Sequence, residues 1–117
     1  MSDARTRWAA LWYELDATAA AAKDSHEVLF ELSRRYRDLP AEDKQAVDGL
    51  LAEWVLADDP KLRFDAIALI RAHHIQSAVP SLRELARRLE DGTDPSAPYE
   101  WAKVNRLLGR LTGATEP

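Results

Sequence analysis

The chain has no cysteine. That excludes disulfides, thiolate chemistry and cysteine-ligated zinc. Its four glycines are scattered, and no cluster of them could cradle a phosphate. Valine and isoleucine are scarce, eight together against twenty alanines and sixteen leucines, a balance that favours helix over sheet. No apolar run approaches the length of a membrane span. The opening Met-Ser-Asp-Ala-Arg-Thr-Arg-Trp lacks the basic start and apolar stretch of a signal peptide, so a cytoplasmic protein is expected. A basic excess is missing too. The net charge is −4, which does not suit general binding to nucleic acid or to an anionic membrane.

What is present is unevenly placed. Residues 1–60 carry seven basic and thirteen acidic side chains, and residues 61–117 carry nine and seven. An acidic first half and a mildly basic second half would either give the surface two poles or simply leave a solvated helical surface of uneven composition. Arginine outnumbers lysine twelve to four, and with abundant alanine this points to a GC-rich bacterial coding sequence. The length of 117 residues suits one domain with its own core.

Periodicity predicts about six helices in an all-α fold. The first runs from about Asp3 to Lys23, with Ser2 as its cap and Trp8, Leu11, Trp12, Leu15 and Ala19 on one face. The second starts at Asp24, with Glu27 completing an arrangement close to a capping box, and buries Val28, Leu29, Leu32 and Tyr36. The third opens with Pro40 at its first position, has Glu42 and Asp43 in its first turn, and buries Val47, Leu50, Leu51, Trp54 and Val55. Asp59 caps the fourth, Pro60 is its first residue, and it runs to about His74. Phe64, Ala66, Ile67, Ala68, Leu69 and Ile70 make it apolar over much of its circumference, so cover on more than one side is expected. The fifth starts near Ser77 with Pro80 in its first turn, buries Val79, Leu82, Leu85, Ala86 and Leu89, and ends at a left-handed Gly92. The sixth starts near Pro98, turns Trp101, Val104, Leu108 and Leu111 inward, and ends at Gly113. Residues 114–117 are expected to form a disordered tail.

The helices repeat. A shift of 35 residues lays Val47, Leu50, Leu51 and Trp54 over Leu82, Leu85, Ala86 and Leu89, and lays Leu29 and Leu32 over Phe64 and Ile67. A shift of 37 lays Phe64, Ile67 and Ile70 over Trp101, Val104 and Leu107. The segment from Asp59 to Leu89 resembles a HEAT-type repeat. The carrying residues are Asp59-Pro60-Lys61-Leu62-Arg63, then Ala66 and Leu69, then Ala78-Val79-Pro80-Ser81-Leu82 and Leu85. The resemblance implies a short α-solenoid in a single domain, residues 1–113. Residues 1–23 would form a capping helix, 24–57 and 58–92 two helix pairs, and 98–112 a terminal helix. Helices three and five would line the concave face.

A short stack offers regularly spaced side chains and few convergent polar groups, which suits contact with another protein. Candidate contacts are Asp48 and Glu53 on helix three, and Arg83, Arg87 and Glu90 on helix five. Arg83 and Arg87 are four apart and should project together. If the partner is a basic toxin, Glu27, Glu31, Asp48 and Glu53 should face it. Trp54 and Trp101 sit in apolar stripes and belong to the core. Trp8 and Trp12 either pack the capping helix or leave one ring exposed as an interface anchor.

Chemistry finds little support. His73 and His74 point about 100° apart on a helix and fit a helix C-terminus better than a metal site. No serine is coupled to a histidine base, so neither an enzyme nor a cofactor is expected. The expected function is therefore a small protein-binding module, such as an immunity-type inhibitor of a toxin or an adaptor subunit, whose ends are free to pair with further copies. The alternative is a nucleic-acid binder using Lys103, Arg106 and Arg110 with Arg83, Arg87 and Arg88, which the overall charge opposes.

Overall fold

A computed structural model describes residues 4–22, 26–92, 95 and 97–113. Among them are six α-helices and no strand: α1 (Ala4–Ala22), α2 (His26–Arg37), α3 (Ala41–Trp54), α4 (Pro60–His73), α5 (Val79–Glu90) and α6 (Ala97–Thr112). The fold is all-α, as periodicity required. No helix among the described residues is long and apolar enough to cross a membrane. The expected caps Ser2 and Asp24, and the expected tail 114–117, lie outside the described residues.

Local signals set most boundaries. Asp59 Oδ1 accepts the Lys61 amide at 2.9 Å, and Pro60 follows as the first helical residue of α4. That satisfies one of the orphan donors at the helix start. Pro40 sits one step outside its expected place. Its carbonyl accepts the Lys44 amide at 2.9 Å, so Pro40 precedes α3 rather than opening it. His74 adopts φ 50° as α4 ends, and Ile75 donates back to the Ile70 carbonyl at 3.1 Å. A 3₁₀ turn, Gln76–Ala78, then leads into α5, with Pro80 in the first turn.

The two expected glycine stops differ. Gly113 takes φ 71° past α6, where only glycine is unstrained. Gly92 is not left-handed, and Asp91 ends α5 in a right-handed conformation. Gly92 answers to crowding instead: a Cβ there would lie 3.3 Å from the Arg88 carbonyl oxygen and 3.4 Å from that of Leu89.

The chain divides into two compact units, Met1–Leu50 and Leu51–Pro117. In the first, α1 packs on α2. Its core holds Trp8, Trp12, Val28, Leu32, Tyr36 and Val47. The Trp8 ring meets Tyr36 edge-on with centroids 6.3 Å apart, and Lys44 Nζ lies 5.7 Å from the Tyr36 centroid. Leu29, expected on the inner face of α2, is half-buried.

In the second unit, α5 packs most extensively on α6, whereas the repeat reading pairs α4 with α5. Leu69, Ile70, Leu82, Leu85, Val104 and Leu111 are buried there. Each such side chain contributes roughly 1.5–3 kcal/mol relative to exposure. Val79 and Leu89 are half-buried at the margins of that face.

Candidate functional site

Several of the expected protein-binding residues are engaged within the chain. Glu31 accepts from Arg34 Nε at 3.1 Å and from Arg35 Nε at 2.9 Å. These hydrogen bonds, Arg34's first, hold the Glu31 carboxyl down at about 2. Asp48 accepts the Tyr36 hydroxyl at 2.6 Å. Arg87 is turned toward Glu84 and Asp91, with Nε 3.0 Å from Glu84 Oε2 and Nη1 3.6 Å from Asp91 Oδ2. It therefore does not stand free beside Arg83. Arg83, Glu53 and Glu90 are exposed. The Glu27 side chain lies outside the described set.

Trp8 and Trp12 are 3% and 2% exposed, so neither ring is an exposed anchor. Both are spent on packing α1. Trp101, expected in the core with Trp54, is 37% exposed. The inner face of α6 is centred on Val104 and Leu111 and extends to Leu107 rather than Leu108. Trp101, three residues before Val104, then lies about 60° round the helix, at the edge of that face.

The open apolar surface lies elsewhere, between α4 and α6. Along α4, Leu62, Asp65, Ala66, Leu69 and Ile70 are buried on one side. Phe64, Ala68 and Arg71 project from roughly the opposite side, with Ile67 between. The expected cover on more than one side does not occur. Phe64 is 55% exposed, and Ile67 and Ala68 are half-buried.

This second face of α4 and one side of α6 enclose a groove of about 480 Å³. Its floor is aliphatic, with Ile67 and Ala68 from α4 and Val104 and Leu107 from α6. Phe64 and Tyr99 stand at its edges, Tyr99 being 69% exposed. Lys103 lies over both rings, its Nζ 5.6 Å from the Phe64 centroid and 5.0 Å from that of Tyr99. The ammonium thus bridges the two helices through the negative faces of two rings. Arg71, Arg106 and Arg110 complete the rim, with Glu100 as its single carboxylate.

Arg63 braces this frame. Its Nη1 donates to the carbonyls of Ala57 at 2.9 Å and Asp58 at 3.1 Å, and its Nη2 lies 3.8 Å from Glu100 Oε1. The arginine of the apolar-Arg pair that carried the family resemblance thus ties the turn before α4 to the first turns of α6.

Periodicity named the basic stripe Lys103, Arg106 and Arg110 but missed its apolar floor. A signal was available in the apolar circumference of α4 and in the i, i+4 pair Tyr99 and Lys103. Among the described residues no group of three His, Cys, Asp or Glu side chains is placed to hold a metal ion. Compared with known protein families, curated proteins and solved structures, the chain finds no match.

Proposed function

We propose that this chain is a small protein-binding helical module whose docking site is the groove between α4 and α6. The observation that carries the reading is the second apolar face of α4. Phe64 stands exposed and Ile67 and Ala68 half-buried beside an aliphatic strip of α6, with aromatic rings at the margin. Exposed apolar surface of this kind is costly in water, and aromatic anchors concentrate binding energy at interfaces.

The HEAT-like character belongs to the same proposal. The capped Asp59-Pro60 start and the Arg63 brace support it. An adaptor subunit and an inhibitor of a toxin are the two forms such a module takes in a bacterial cytoplasm, and self-pairing of the stack is a variant of the first. The form in which an acidic face covers a basic toxin has weaker support. Glu31 and Asp48 are engaged within the chain, and freeing them would cost the hydrogen bonds they accept.

Nucleic-acid binding is the second reading. Four cations beside two exposed rings favour it, since bases stack on aromatic side chains and phosphates follow cations. The aliphatic floor favours protein: its apolar strip between the cations is desolvated better by apolar side chains than by a sugar–phosphate chain.

Photo-crosslinking separates the readings. A benzophenone side chain replaces Phe64, and in a control it replaces Phe30, an exposed ring on α2. A discrete protein adduct from position 64 and none from position 30 is expected. A nucleic-acid adduct would transfer the site to the second reading, and equal adducts from both positions would remove the groove from the proposal.

A further inference from the structure

We infer that the occupant of the α4–α6 groove is an acidic amphipathic helix of a partner protein. This rests on the groove being a protein-docking site and adds the chemistry of what docks.

Charge is the first argument. On α2 and α5 a single carboxylate each holds two arginines three and four residues later. Glu31 serves Arg34 and Arg35, and Glu84 serves Arg87 and Arg88. The arginines of the groove have no carboxylate at those positions. The residues three and four before Arg71 are Ala68 and Ile67, those before Arg106 are Lys103 and Ala102, and those before Arg110 are Leu107 and Arg106. Lys103 has Glu100 in range, but Glu100 leans to Arg63 at 3.8 Å. Among the described residues, none of Arg71, Lys103, Arg106 and Arg110 is ion-paired with a carboxylate. Four cations without a carboxylate partner, gathered around one groove, attract an anionic partner and repel a basic one.

Spacing is the second argument. Lys103, Arg106 and Arg110 rise along two turns of α6, roughly 10 Å. A docked helix presents carboxylates with the same period on its flank, so several pairs form in register. Its apolar face at i, i+4 and i+7 meets the floor of Ile67, Val104 and Leu107. A single-carboxylate ligand would answer one cation of the four. A nucleic-acid strand would answer the cations and leave the aliphatic floor against sugar and phosphate.

Fluorescence anisotropy with three labelled peptides tests this. Each has about 18 residues, long enough to populate helix, and the same leucine face. The flanking positions are Glu in the first, Gln in the second and Lys in the third. A labelled single-stranded oligodeoxynucleotide is the fourth probe. At low salt the Glu peptide is expected to bind at least about tenfold tighter than the Gln peptide, with the gap closing as salt rises. A variant carrying Lys103→Glu, Arg106→Glu and Arg110→Glu, all exposed positions, is expected to prefer the Lys peptide. Its helical circular dichroism should match the parent.

Equal binding of the Glu and Gln peptides would overturn the charge inference and leave the groove reading standing. Silence of all three peptides would sink both. Tight binding of the oligonucleotide with silent peptides would sink both in favour of nucleic acid.

Discussion

The Tyr36 hydroxyl donates to Asp48 Oδ1 at 2.6 Å, joining α2 to α3. The bond converts Asp48 from a candidate contact into a structural acceptor. Burial and the Asp48 carboxylate both push the Tyr36 phenol up from its ordinary 10.0. Tyr36→Phe is expected to lower stability by about 1–2 kcal/mol in urea unfolding at neutral pH. A phenol raised in the folded state stabilises fully below its unfolded value and stops doing so as pH climbs through its folded value. The parent should therefore lose stability above pH 10.0, and Tyr36→Phe should lose less over the same range. Parallel curves would show that the hydroxyl does not sit against the carboxylate in solution.

Glu84 and Glu31 each hold two arginines, and each carboxyl is lowered from 4.5 to about 2, chiefly by the hydrogen bond from Arg87 in one case and Arg34 in the other. A lowered carboxyl stabilises above its unfolded value and loses that effect as pH falls toward its folded value. A Glu31→Gln, Glu84→Gln double variant is expected to show a shallower loss of stability between pH 4.5 and about 2. Both groups face solvent, so the difference should be small and should shrink in high salt. A difference that survives high salt would contradict this account.

Phe64 and Leu82 are both large apolar residues of the second unit, with opposite exposure. Leu82→Ala is expected to cost about 2–5 kcal/mol, because it empties a fully buried site. Phe64→Ala should change stability by less than about 1 kcal/mol, while removing whatever docks in the groove. Thermal unfolding of the two variants provides the comparison. A Phe64→Ala variant as unstable as Leu82→Ala would mean that the ring is part of the core.

Arg63→Ala should destabilise the second unit by about 2 kcal/mol, since it leaves the Ala57 and Asp58 carbonyls without their charged donor. Arg83→Ala, at an exposed position, serves as the neutral comparison. Equal effects from the two would remove the bracing role from Arg63.

Much of the chain was legible wherever the signal was local. Asp59 and Pro60 start α4 because capping involves only the next two residues. Gly113 stops α6 because a left-handed residue is needed there and glycine supplies it without strain. Val47, Leu50, Leu51, Trp54 and Val55 are all buried, as their spacing required. The groove was less legible. Spacing shows which residues share a face of a helix but not how wide the covered sector is, so Trp101 fell at its edge. Charge counts over sequence halves could not show that Glu31 and Asp48 are engaged within the chain.

Sequence alone determined the six helices, most of their ends and most of the apolar positions along each, because hydrogen bonding, capping and periodicity act within a few residues. Tertiary structure decided which apolar face of α4 would be covered. Leu62, Leu69 and Ile70 found neighbours, whereas Phe64 and Ile67 were left beside the cations of α6. Both faces are greasy enough to be buried, and only the arrangement of other helices in space selects between them.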